Sequence, residues 1–171
     1  MKAIQKVNLI QKPATGRIMR MLQLGMLWMA TGMSSIAHAS LGGDASSIET
    51  DRMVMRAEHA AKQTPSPTGN YTVYEIALPS GTLVRQYASS AGVVFAVTWK
   101  GPFIPNLKQI LGDHYQTLLA LQAQQTLVGH RSFSHHAGDL VIESSGHPRS
   151  FVGRAYLPAA LPAGITPQDI Q

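Results

Sequence analysis

Alternating hydrophobic and polar positions predict a sheet in the middle of the chain. Every second residue between positions 72 and 78 is suited to face a core, which predicts a strand there. A turn at residues 79–81 leads to a second strand at 82–87, and a third is predicted at 93–99. Because the connections are too short for crossovers, the three strands are expected to form an antiparallel meander.

The same alternation predicts which side chains of the meander meet. If the first turn has three residues, Glu75 lies opposite Arg85, and the two charges form a cross-strand pair. In the third strand, Thr98 and Lys100 are expected on one face, opposite an apolar face. That apolar face is predicted to comprise Val93, Phe95, Val97 and Trp99.

Two helices flank the meander in this interpretation. Ser46 and Glu49 have the three-residue spacing of a capping box, which predicts a polar helix over about 47–62. A proline- and glycine-rich linker follows at 64–70. Asn106 is expected to cap a second helix with apolar residues at three- and four-residue intervals, which Gly112 weakens.

The last part of the chain predicts a hairpin and an irregular tail. Strands are expected at 139–143 and 149–156, and prolines then favour a strap from residue 157 onward. The fold class is therefore expected to be α+β, a single antiparallel sheet of about five strands with one or two helices on one face. The predicted organisation is a signal peptide at 1–39, a helix and linker at 40–70, and an α+β domain at 71–171.

The N-terminal segment is typical of a cleavable secretory signal. Arg20 precedes an apolar run at about 21–33, and Ala37 and Ala39 stand at −3 and −1 relative to Ser40. We therefore expect export, to the periplasm or beyond the cell. The alternative is an uncleaved anchor, but Thr and Gly dilute the run before the roughly 20 residues that a span needs. No membrane span is expected in the mature chain.

Removal of this leader changes the net charge of the chain, and with it the expected class of partner. Five of the fourteen Lys and Arg precede Ser40, and none of the nine Asp and Glu does, so nine of each remain. The mature chain is formally neutral, which argues against a nucleic-acid partner. The absence of cysteine excludes disulfides, a thiol nucleophile and cysteine-bound zinc.

Histidine and carboxylate side chains near the C-terminus are candidate metal ligands. Imidazole and carboxylate groups suit zinc or copper when three or four converge. The candidate ligands are His135, His136, Asp139, Glu143 and His147. Their spacing matches no established zinc signature, so this metal-binding or metal-dependent hydrolase function is the alternative. The first hypothesis is a non-catalytic module, without a cofactor, that binds an envelope protein or a cell-surface component.

Three segments together also resemble a known family. They are the predicted mature start, the central run 71–102 and the closing run 138–164. The motifs are Leu41-Gly42-Gly43, Trp99-Lys100-Gly101-Pro102 and Gly153-Arg154-Ala155-Tyr156-Leu157-Pro158. In these the chain resembles a family of small exported proteins of unknown function from Burkholderia-like proteobacteria. The resemblance implies a single exported domain and supplies no activity, cofactor or catalytic residue.

The leader yields a direct prediction. N-terminal sequencing of protein purified from expressing cells is expected to begin at Ser40, because small residues precede it at −3 and −1. Recovery of a product that begins at Met1 or Met19 would contradict this cleavage.

Overall fold

A computed structural model describes residues 41–124 and 132–171 of the chain. The predicted cleavage residues Ala37, Ala39 and Ser40 lie outside the described residues. The described helices are α1 (Ile48–Val54), α2 (Leu107–Leu111) and α3 (His114–Gln124). The strands are β1 (Lys62–Pro65), β2 (Tyr71–Ala77), β3 (Leu83–Ser89), β4 (Val94–Gly101), β5 (Ser132–Ala137), β6 (Leu140–His147) and β7 (Ser150–Tyr156).

All seven strands form one antiparallel sheet in the order β1-β2-β3-β4-β7-β6-β5. The predicted meander is β2-β3-β4, and the predicted hairpin is β6-β7, which joins the meander through pairing of β7 with β4. The expected count of about five strands was wrong, because a strand is added at each edge of the sheet. The expected one or two helices are three short ones.

The two edge strands were missed because neither has the apolar alternation of a half-buried strand. β1 has four exposed residues and lies where a helix end and a linker were expected. β5 is mostly polar. In it His135 is buried, Phe133 and Ala137 are half-buried, and the other residues are exposed. Backbone pairing with β2 and β6 holds these strands, and that pairing leaves little trace in side-chain hydrophobicity.

The helices all pack on one face of the sheet, here called the helix face. Ile48 of α1, Ile110 of α2 and Leu118 of α3 belong to one buried cluster with side chains of the central strands. The predicted second helix is interrupted at Gly112, whose positive φ of 55° ends α2. Among the described residues, no helix is long and apolar enough to cross a membrane.

A polar network also ties the helices to the sheet. The side-chain amide of Gln86, in β3, donates to the Asp51 carboxylate of α1 at 3.2 Å. The Gln109 amide of α2 donates to the other Asp51 oxygen at 2.6 Å. Asp51 and Gln86 are fully buried, so these bonds offset the cost of removing a carboxylate from water.

A β-bulge in β4 overturns the predicted apolar face of that strand. Ala88 pairs with Val94 and Tyr87 pairs with Ala96, so Phe95 is the extra residue. Val97 and Trp99 face the helices, but Phe95 and Ala96 belong to a second buried cluster on the opposite face. The prediction that Val93, Phe95, Val97 and Trp99 share one face was wrong, because the extra residue Phe95 reverses the side to which the preceding residues point.

The opposite face is covered in part by residues 157–171, which we call the strap. Its apolar side chains pack over an aromatic cluster in which Tyr71, Tyr87 and Phe95 have ring centroids 5.8–6.2 Å apart. The strap residues in this cluster are Ala160, Leu161, Ile165 and Ile170. The strap thus forms a second covering layer, and we call this side of the sheet the strap face.

Close packing in the middle of the sheet generates a stability prediction. A Cβ atom added at Gly153 would lie 2.2 Å from Cζ2 of Trp99 and 2.8 Å from the Glu143 carbonyl oxygen. We therefore expect Gly153→Ala to lower the free energy of unfolding by about 1–3 kcal/mol, as overpacking does. Chemical denaturation of both proteins measures the change.

The matched control is a double-mutant cycle with Trp99→Phe. A smaller ring leaves room for the new methyl group, so the costs of the two substitutions are expected to be less than additive. Strict additivity would show that the indole does not cause the strain.

Candidate functional site

Two rows of side chains remain uncovered on the strap face. The residues within each row are in register on neighbouring strands, so their side chains point to the same side of the sheet. The first row is Arg85, Thr98, Arg154, Glu143 and Ser134. The second row is Leu83, Lys100, Val152, Ser145 and Ser132.

Two ion pairs order the first row, and in each of them the carboxylate lies on the side of the arginine away from Thr98. Nε of Arg85 donates to Glu75 at 2.9 Å, which confirms the predicted cross-strand pair. Nε of Arg154 donates to Glu143 at 2.6 Å in the same arrangement. Thr98 is buried, with 7% of its surface exposed, and lies in register between the two arginines, so the centre of the row is a threonine flanked by two arginine side chains.

The strap holds the same two arginines from the side of the first row that faces Tyr87 and Tyr156. Nη1 of Arg85 donates to the backbone oxygen of Gln171 at 3.0 Å. Nη1 of Arg154 donates to the Pro167 carbonyl oxygen at 2.5 Å, and its guanidinium lies 5.8 Å from the ring centroid of Tyr156. Each guanidinium therefore has at least two fixed contacts, and its orientation is set before any ligand arrives.

The surroundings of Arg85 favour its charged form. The hydrogen bond from the Arg85 guanidinium to Glu75 raises the pKa of Arg85 above its ordinary value. Burial acts in the opposite direction and is the smaller effect. Arg85 therefore remains a cation throughout the physiological pH range.

The two rows form the floor of a groove of about 700 Å³. Ile170 and Gln171, at the end of the strap, contribute to its lining together with the row residues. This size lies within the range of small-molecule sites, which combine apolar surface with a few placed polar groups. The groove offers three cationic side chains, hydroxyl groups and two aliphatic side chains, Leu83 and Val152, on a rigid sheet.

The structure separates the residues predicted to bind a metal. His135 is in register with Ile142, so it points to the helix face, where it is buried and stacks on Phe133 at 5.4 Å. His136 and Glu143 lie on the strap face. Asp139 lies in the turn before β6, so it does not share a strand face with Glu143, and His147 lies at the exposed end of β6.

Within residues 41–124 and 132–171, no three His, Asp or Glu side chains converge well enough to hold a metal ion. The geometry of the described strands thus gives the histidine–carboxylate site no support, and zinc or copper binding stays a prediction from sequence. Of the five candidate ligands, only Glu143 lines the groove, and there it is the partner of Arg154.

A comparison with protein families adds one finding. A family model described as a protein of unknown function (DUF2844) matches residues 37–170. The chain belongs to the DUF2844 family. No curated protein and no solved structure matches this DUF2844 chain. The match therefore agrees with the predicted uncharacterised family and assigns no activity to the groove.

Sequence reasoning found one half of the site and missed the other. Glu75 and Arg85 were detectable because a short turn fixes their register. Arg154 and Glu143 belong to the predicted hairpin, where the same argument about a short turn would have paired them. No local signal indicates that Thr98 lies between the two arginines, since that requires β7 to pair with β4 across the 48 residues that separate these strands.

The double role of Arg154 generates a prediction. Replacing Arg154 by Gln removes both its ion pair and its bond to the strap, so we expect the free energy of unfolding to fall by about 1 kcal/mol. Amide hydrogen exchange is expected to accelerate most in residues 157–171. The matched control is Glu143→Gln, which removes the ion pair but retains the contact with Pro167. Equal acceleration of strap exchange in both variants would contradict the anchoring role.

Proposed function

We propose that this DUF2844 chain is an exported, non-catalytic binding module and that the groove on its strap face is the ligand-binding surface. The observation that carries the proposal is the pair of arginines held on either side of Thr98 by ion pairs and strap contacts. Fixed donors on rigid strands lose little conformational entropy when a ligand binds, which favours recognition.

The position of the groove supports a binding role for this face. The apolar half of the strap face is covered by the strap, whereas the polar half is left uncovered beside it. Val152, which lines the groove, is 50% exposed and lies in register beside Lys100. A bound molecule would cover it.

Export is part of the proposal. The family match begins at residue 37, within the predicted cleavage region, so the matched part of the chain begins where the mature protein is expected to begin. The partner is accordingly expected in the cell envelope or at the cell surface.

Site-specific crosslinking tests this function. The chain has no cysteine, so Ser145→Cys creates a unique labelling position in the groove for a photoreactive maleimide. Illumination of intact expressing cells is expected to give a repeatable adduct from this position, because a ligand in the groove lies within reach of the probe.

The matched control is Ser90→Cys, which places the same label in the exposed β3–β4 turn, outside the groove. The same adducts from both positions, or no adduct from Ser145→Cys under several growth conditions, would overturn the assignment of this surface.

A further inference from the structure

The groove has a charge distribution that specifies a class of ligand. Three cationic side chains line it, Arg85, Lys100 and Arg154, together with one acidic side chain, that of Glu143. Glu143 is already hydrogen-bonded to Arg154, and Glu75, outside the lining, is bonded to Arg85. Lys100 makes no side-chain ion pair within residues 41–124 and 132–171, so it adds a cation to the groove that neither glutamate pairs with.

The spacing of the first row leaves a place for an anionic group. Arg85 and Arg154 lie two strands apart, with Thr98 on the strand between them. Neighbouring strands are about 4.8 Å apart, so the two arginine backbones are separated by about 10 Å. The Nε atoms of both arginines are directed outward, to Glu75 and Glu143, but an arginine side chain is long enough for its Nη2 donors to reach an oxyanion that lies above Thr98.

The guanidinium groups retain donors for such an anion. An arginine has five N–H donors. The bonds of Arg85 to Glu75 and Gln171, and those of Arg154 to Glu143 and Pro167, use Nε and Nη1, and the Arg85 guanidinium also interacts with the Tyr87 side chain. The carboxylates of Glu75 and Glu143 therefore orient the two guanidinium groups without occupying all of their N–H donors. The Thr98 hydroxyl adds a donor at the centre of the row.

The second row indicates what the part of the ligand next to the anionic group would be. Leu83 and Val152 are in register on either side of Lys100, so aliphatic surface lies next to the anion position on the same face. A simple inorganic anion would leave this surface exposed and most of the 700 Å³ unfilled. A carboxylate with a short aliphatic body matches both rows.

We propose that the groove binds an organic acid, with its carboxylate between Arg85 and Arg154 over Thr98 and its aliphatic part against Leu83 and Val152. This inference rests on the proposed binding function and narrows it to one ligand class. Lys100 supplies the long-range attraction, and the two arginines supply the directional hydrogen bonds.

Amide chemical shifts in the NMR spectrum of the purified protein, expressed from the full chain, test the proposal. The probes are sodium hexanoate, sodium acetate, sodium phosphate and hexanol, compared at constant ionic strength. We expect hexanoate to shift the amides of Thr98, Lys100 and Arg154 at lower concentration than acetate or phosphate does, because only hexanoate fills both rows. Hexanol is expected to cause little change, since it lacks the charge.

Three variants separate binding from folding. Lys100→Gln removes no hydrogen bond described above and is expected to weaken hexanoate binding about threefold. Arg154→Gln is expected to weaken it about tenfold or more, by loss of a charge-assisted contact. Lys108→Gln makes the same charge change as Lys100→Gln, but in α2 on the helix face, and should leave the affinity unchanged.

Each contrary outcome has its own meaning. Equal shifts from hexanol and hexanoate would overturn the requirement for an anion and leave a ligand groove in place. Shifts from phosphate but not from hexanoate would overturn the choice of a carboxylate. Loss of affinity in Lys108→Gln equal to that in Lys100→Gln would show a non-specific charge effect. No shift from any probe would overturn the inference, and crosslinking from position 145 then decides the binding function separately.

Discussion

The central strand β4 must be buried on both faces, and the rest of the structure follows from that constraint. Residues 94–99 are all buried, so the sheet needs a cover on each side. The helices cover one face, and the bulge at Phe95 turns two consecutive apolar residues toward the other. An aromatic cluster on that second face would be exposed without the strap, so packing of the strap is part of core formation.

Residues 157–171 of the strap cover the row that contains Tyr87 and Tyr156, and the two rows that contain Arg85 and Leu83 stay open beside it. The same arginines that anchor the strap therefore stand at the boundary between covered and open surface. Arg154 therefore belongs to both regions, because it bonds the Pro167 carbonyl oxygen of the strap and lines the groove.

Sequence reasoning succeeded where local geometry decides the outcome. The meander, the hairpin, the cap at Asn106 and the pairing of Glu75 with Arg85 depend on short turns and side-chain periodicity. It failed at β1 and β5, because edge strands are held by backbone hydrogen bonds, to which side-chain patterns contribute little. It also grouped His135 with Glu143, since proximity along the chain does not reveal that register places them on opposite faces.

The sequence by itself determined a cysteine-free chain with a signal-like leader, an antiparallel meander and a C-terminal hairpin, because composition and periodicity are local properties. Only the tertiary structure decided that β7 pairs with β4, which places Arg154 two strands from Arg85 with Thr98 between them. That pairing joins segments far apart in the chain, and it depends on burial of both faces of the sheet together. The candidate site exists only after that pairing has formed.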